Sequence, residues 1–262
     1  MANFDKPLPQ RILVTAEQLQ GDRLRLSPDQ VHYLTRVLRL TVDDPVVAMF
    51  EDPVQPLEGR EPGRWWLAQR DTDGAVIVDR VAEPENAVPV TVMVAITKGG
   101  GFDEVLRQLT ELGVTAIAPL QTERTVVVPG ANKLKRWRRI IAEAAEQCER
   151  SPLPQLLDPM PVSDAFELSW LSDPPSVTRL IGVARERGQS RRSLLTALQH
   201  QPRSDRSHWV IAIGPEGGWT DEETQQAIAA GFEPVSLGDR ILRAVTAAVS
   251  AMAIAASVWE QD

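Results

Sequence analysis

The stretch His208–Trp259, HWVIAIGPEGGWTDEETQQAIAAGFEPVSLGDRILRAVTAAVSAMAIAASVW, decides how this chain is read. The apolar run Trp209–Ile213 has the length and sharp boundaries of a buried strand. Gly214-Pro215-Glu216-Gly217-Gly218 follows, a turn whose glycines permit positive φ or the close approach of a ligand to the backbone. Thr220, with Glu223 three residues on, is a capping-box pair that opens a helix, and Gly231 closes it. Pro234–Leu237 predicts a second strand and Gly238 a second turn. Arg240-Ile241-Leu242-Arg243 then leads into an alanine-rich helix that ends near Trp259. Two strand–glycine turn–helix units in succession are the layout of a sheet that presents a nucleotide-like ligand at its carboxyl edge.

Working outward, the 262 residues suffice for one large domain or two smaller ones. The amino terminus MANFDKPLPQR has no apolar signal core, and no apolar run approaches the roughly 20 residues that span a bilayer. One cysteine, Cys148, and three histidines leave no disulfide and no zinc-type cluster to expect. A cytoplasmic, metal-free protein with no membrane partner is the expectation. A net charge of −8 argues against nucleic-acid binding over the whole surface, so any such function must rest on local basic patches.

The first 82 residues carry short strand-like runs at Arg11–Val14, Leu24–Leu26, Val46–Phe50, Trp65–Ala68 and Val76–Val78, a spacing that predicts a small β-barrel. One helix interrupts them. Ser27 is its N-cap, Pro28 its first residue and Gln30 the capping-box partner. Val31, Leu34, Val37 and Leu38 form its apolar stripe, leaving Arg36 and Arg39 to grip RNA phosphates or to sit on a solvated face. The polar stretch AEPENAVP, 82–89, reads as a linker.

After it, strands and helices alternate, as in a parallel α/β sheet. Val90–Ile96 is the first strand, Lys98–Gly101 a glycine turn, Phe102–Leu112 a helix with Gly113 at its C′ position, and Ala116–Leu120 the second strand. A long helix over Lys133–Glu149 begins with Lys133, Lys135, Arg136, Arg138 and Arg139, the densest basic run in the chain. Cations at a helix amino end oppose its dipole, which points to an anion such as an RNA backbone there. A solvated face is the alternative. Val162–Leu171 reads as helix, Arg179–Ala184 as strand and Arg191–Gln199 as a short helix, with Arg185, Arg187, Arg191 and Arg192 a second basic cluster.

Both halves of the carboxyl-terminal stretch together resemble the cofactor-binding knot of the SPOUT α/β-knot methyltransferases, in particular the 16S ribosomal RNA uridine N3-methyltransferase family. That family carries an IGPEGG turn, here Ile213–Gly218, and an LGxRILRxxTA segment, here Leu237–Arg243 with Thr246-Ala247. HYLTRVLRL at 32–40 resembles its amino-terminal PUA-like RNA-binding domain. TELGV at 110–114, PLQTERTVV at 119–127 and EAAEQCERS at 143–151 match in family order. The likeness spans nearly the whole chain.

What the resemblance implies is a PUA-like β-barrel over 1–82 and a trefoil-knot α/β domain over 83–262. It implies an S-adenosylmethionine-dependent enzyme that methylates a uridine of 16S rRNA in the small subunit, acting as a homodimer. The cofactor would lie against Ile213, Gly214, Pro215, Glu216, Gly217, Gly218, Leu237, Gly238, Ile241 and Leu242. RNA would meet Arg36, Arg39, Lys133, Lys135, Arg136 and Arg139. Uridine N3 must lose a proton during attack, and an arginine near the pyrimidine carbonyls would stabilise the developing charge. Arg243 and Arg150 are the candidates, each with a structural ion pair as its alternative role. No residue stands out as general base.

The chain departs from the family at Ala244 and Val245, where Thr-Glu is common, and at Gly101 and Gln108, where basic residues are common. The first departure motivates a second reading, a non-catalytic RNA-binding or assembly factor on the same fold. A dinucleotide-dependent oxidoreductase built on Lys98–Phe102 fails on spacing, because Glu104 stands where the fingerprint needs its third glycine.

Overall fold

The computed structural model describes residues 10–61, 63–81, 88–125, 129–148, 150, 153–168, 177–184, 191–201 and 207–259. The chain divides into two compact units, Met1–Glu85 with Ala145–Leu153, and Asn86–Ala144 with Pro154–Asp262.

The first unit is built on a six-stranded sheet. Its strands are β1 (Gln10–Val14), β2 (Leu19–Gln20), β3 (Arg23–Arg25), β4 (Pro45–Val54), β5 (Gly63–Arg70) and β6 (Gly74–Arg80), in the order β1-β4-β5-β6-β3-β2. All pairings are antiparallel except β1 with β4. The period of two along β4 sorts its residues cleanly. Val46, Ala48 and Phe50 join Trp66 and Ala68 in the main core, while Val47 and Met49 join Trp65 in a smaller cluster. The two-residue strand β2 escapes periodicity altogether; it exists because β3 offers it a ladder.

Helix α1 (Pro28–His32) starts as its sequence requires: the Ser27 hydroxyl accepts the Gln30 N–H, and the Gln30 side chain returns to the Ser27 N–H. It then widens into a π-helical turn, Tyr33–Val37, in which Leu38 N–H reaches back to Tyr33. The wider turn rotates later residues off the 3.6-residue stripe. Leu34 is fully buried as expected, but Val37 is 59% exposed, and its assignment to the apolar stripe is corrected.

The second unit holds a seven-stranded, entirely parallel sheet made of β7 (Val90–Ala95), β8 (Ala116–Gln121), β9 (Gln155–Leu156), β10 (Met160–Pro161), β11 (Val177–Gly182), β12 (His208–Ile213) and β13 (Glu233–Val235). The path is β10-β8-β7-β12-β11-β13, with β9 also paired to β8. β7 and β12 are buried on both faces, which is why they read as continuous apolar runs.

The helices here are α2 (Gly101–Glu111), α3 (Ala131–Gln147), α4 (Val162–Phe166), α5 (Leu194–Gln199), α6 (Asp221–Ala229) and α7 (Ala244–Trp259). α2 ends in a Schellman motif, with Gly113 at φ +91° and bonds from Gly113 to Thr110 and from Val114 to Leu109. α4 stops at Phe166, short of the expected Leu171; residues 169–176 lie outside the described residues. α5 begins at Leu194 because the Ser193 hydroxyl accepts the Thr196 N–H and caps it. The second expected strand ends at Val235, two residues early. The expected linker is described only at Val88 and Pro89.

Small residues let α7 lie close to the sheet: Ala244, Ala248, Ala251, Ala255 and Ala256 are buried, and the helix packs on α2, α5, β7 and β12. His208, at the start of β12, bonds through Nε2 to the Thr91 hydroxyl at 2.9 Å, and burial pulls its imidazole below the ordinary value near 6.5. The unfolded chain therefore takes up this proton first as pH falls. Stability tied to the neutral ring is full above about pH 6.5 and is lost as pH drops toward the lower folded value. His208→Gln is expected to flatten the acid-side fall of the thermal midpoint; parallel slopes for the two proteins would place that fall elsewhere.

Candidate cofactor cleft

Because the sheet is parallel, β11, β12 and β13 all end on one edge, and the segments that follow them enclose a cleft of about 250 Å³. β11 contributes Gly182, Val183 and Ala184, β12 contributes Ile213–Trp219, and β13 contributes Leu237, Gly238, Arg240, Ile241 and Leu242. Ala244 and Ala247 of α7 complete the lining. All ten residues assigned to the cofactor from sequence therefore line one cavity.

The first turn is closed by Gly218 N–H donating to Pro215 C=O at 2.9 Å, with Gly218 at φ +73°. Trp219 folds back over its start. Its Nε1 donates to Gly182 C=O at 2.9 Å, and its ring sits where a Cβ on Gly214 would lie 2.9 Å from Cε2. Phe166 flanks it, with ring centroids 6.3 Å apart. The helix after the turn has its predicted cap: Thr220 and Glu223 exchange reciprocal bonds of 2.9 and 3.1 Å. The second turn bends at Gly238, φ +122°, and the Ser236 hydroxyl holds both its N–H and its C=O at 3.1 Å. Ile241 is left 84% exposed at the mouth.

Five of the lining residues, Gly182, Gly214, Gly217, Gly218 and Gly238, are glycines. The amides of Gly217 and Trp219, in the turn that lines the cleft, make no intramolecular hydrogen bond among the described residues. Glycine turns of this kind offer donors and acceptors to a polar heterocycle or ribose without side-chain obstruction. Among the described residues, no group of His, Cys, Asp and Glu could hold a metal ion, and no helix is long and apolar enough to cross a membrane.

The RNA methyltransferase domain family matches residues 84–256. The chain belongs to that family. A Ribosomal RNA small subunit methyltransferase E from Synechocystis sp. is 42% identical over 247 residues, which is 93% of this chain and 76% of that protein. A protein of the same name from Rickettsia conorii is 29% identical over 93% of both. The fold of the Neisseria gonorrhoeae Ribosomal RNA small subunit methyltransferase E, solved bound to S-adenosyl methionine, superposes with a TM-score of 0.72. It shares 28% identity and covers 96% of this chain and 98% of that one. A Legionella pneumophila protein solved with bound SAM matches equally, at TM-score 0.72 and 28% identity over 94% of this chain and 96% of that one.

The remaining expected residues lie outside the cleft lining. Arg243 stands between the cleft residues Leu242 and Ala244, its side chain exposed and its carbonyl accepting the Ala247 N–H at 2.8 Å. Arg150 belongs to the first unit and is not among the residues that line the cleft; burial pulls its guanidinium below the ordinary value, while the Cys148 charge acts the other way. Arg36 and Arg39 are exposed at and just after the π turn, Arg39 at φ +58°.

On α3 the basic run is partly engaged within the chain. Arg136 pairs with Asp103 at 2.7 Å, Arg139 with Glu143 at 3.2 Å, and Lys133 lies over the Trp137 ring at 5.4 Å; Lys135 is exposed. Asp103 of α2 thus sets a carboxylate against the basic run of α3. Of the second basic cluster, Arg192 pairs with Glu233 at 3.6 Å, and Arg185 and Arg187 lie outside the described residues.

Sequence reasoning misses the third wall, Gly182–Ala184, and Arg124, whose Nη1 donates to the Gly217 carbonyl. The strand ending at Gly182 is legible, but only the order β12-β11-β13 puts its end between the two turns.

Proposed function

We propose that this chain is an S-adenosylmethionine-dependent methyltransferase that methylates N3 of a uridine in the 16S rRNA of the small ribosomal subunit. One observation carries the reading: two glycine turns separated by a helix and a strand meet in a single cleft at the carboxyl edge of a parallel sheet. Family membership supplies the reaction class. When bound, the cofactor supplies an electrophilic methyl on a sulfonium.

In this reading Ile213–Gly218 and Leu237, Gly238, Ile241 and Leu242 bind and orient the donor, and positioning accounts for most of the rate. Arg243 and Arg150 stabilise negative charge on the pyrimidine carbonyls as N3 loses its proton. Residues 1–82 act as a PUA-like β-barrel and 83–262 as a SPOUT trefoil-knot domain. Arg36, Arg39, Lys133, Lys135, Arg136 and Arg139 meet the rRNA backbone, and exposure of most of these side chains supports that role. The protein works as a cytoplasmic homodimer without metal.

A non-catalytic rRNA-binding factor is the reading that Ala244 and Val245 favour. Ala244 lines the cleft and Val245 packs toward Gly101, so neither brings a carboxylate to the rim. Mass-spectrometric mapping of 16S rRNA from cells with and without the protein separates the two. One N3-methyluridine is expected to vanish on deletion and to return on complementation; an unchanged map rejects the enzyme.

A further inference from the structure

β8 ends at Gln121 on the edge that carries the cleft, and the loop after it is tied to the glycine turn roughly a hundred residues later in sequence. The loop is closed on itself by the Thr122 and Thr125 hydroxyls, 2.9 Å apart, and by Thr122 N–H donating to the Thr125 hydroxyl at 3.1 Å. The Glu123 N–H donates to Oε1 of Glu223 at 2.8 Å, the buried residue whose other oxygen caps α6. From this anchored loop Arg124 Nη1 donates to the carbonyl of Gly217, with the carbonyls of Gly218 and Trp219 each 3.4 Å away.

A planar peptide points its N–H opposite to its C=O. Turning the Gly217 carbonyl toward Arg124 therefore aims the Gly218 N–H at Pro215, the bond that closes the turn. Turning the Gly218 carbonyl the same way aims the Trp219 N–H away from the guanidinium. A Cβ on Gly217 would lie 3.0 Å from Arg124 Cδ, so a larger residue there would press on the side chain that makes this contact. Arg124 itself is not among the residues that line the cleft.

We propose that Arg124 is a positioning residue for the cofactor: by holding the carbonyls of Gly217–Trp219, it fixes the conformation of the Pro215–Trp219 turn against which the donor binds. The inference rests on reading the cleft as the S-adenosylmethionine site. Isothermal titration of S-adenosylmethionine, together with steady-state kinetics on small ribosomal subunits, tests it. Arg124→Ala is expected to weaken cofactor binding about five- to tenfold, the loss of one or two charge-assisted hydrogen bonds at an exposed site. KM for the cofactor should rise with it, while KM for the subunit stays within about twofold. Arg124→Lys should recover part of the affinity, because an ammonium can still reach one carbonyl but cannot fork across several.

The losses from Gly217→Ala and Arg124→Ala should combine to less than their sum in the double variant, because the added methyl no longer meets Arg124 Cδ; this coupling is the signature of action through the turn. Unchanged cofactor affinity in Arg124→Ala, or a loss confined to the ribosomal substrate, would overturn the proposal. A wild-type protein that takes up no S-adenosylmethionine would remove the cofactor reading and this inference together.

Discussion

Gly214→Ala is expected to weaken cofactor binding strongly while leaving the rest of the fold intact. The added Cβ would lie 2.9 Å from Trp219 Cε2 and 3.1 Å from Cδ2 and Nε1. The indole is poorly placed to yield. Its Nε1 is bonded to Gly182 C=O at 2.9 Å, and Phe166, itself packed at a tilt against Phe232 with centroids 4.9 Å apart, stands alongside. Either the ring tears from Gly182 or the turn shifts outward, and each changes the lining of the cleft. Overpacking of this kind costs about 1–3 kcal/mol. Affinity for S-adenosylmethionine should fall at least about tenfold, or about 1.4 kcal/mol. Titration calorimetry reads it directly, and an unchanged dissociation constant would mean that the indole repacks without disturbing the turn.

The second large effect concerns the core. Trp137 sits among the arginines of α3, a context in which it could stack on a base, although core packing is the expectation for most tryptophans of this chain. It is fully buried, its ring centroid 4.4 Å from that of Phe102, with Nε1 donating to Asp103 at 3.1 Å. The same carboxylate receives Arg136, so one acidic residue on α2 secures two consecutive residues of α3. Trp137→Ala should destabilise the second unit by about 3–5 kcal/mol through lost contacts and a cavity. Trp137→Phe keeps the ring pair and loses the indole bond, and should cost about 1–2 kcal/mol. Urea unfolding followed by circular dichroism distinguishes the two, and an alanine variant of near-native midpoint would place the indole outside the core.

Legibility from sequence tracks how local the cause of each feature is. The capping boxes at Ser27 and Thr220, the Schellman glycines after α2 and α6, and the buried runs of β7 and β12 depend on residues within one or two turns of one another. Each can be read from the order of residues alone. The π turn at Tyr33–Val37 cannot, because one extra residue per turn leaves no mark on an apolar pattern this short, and it moves Val37 off the stripe. The two-residue strands β2, β9 and β10 owe their existence to the partner beside them, which the sequence does not name.

The candidate site divides the same way. Glycine content and spacing alone determined which two turns can approach a ligand, because removing Cβ is a property of the residue itself. Tertiary structure decided that a third segment, Gly182–Ala184, stands between them, that Trp219 reaches Gly182, and that Arg124 grips Gly217 from outside. Those contacts join residues 37 and 93 positions apart, and they exist only because parallel strands β12 and β11, with β13 and β8, all end on one edge of the sheet.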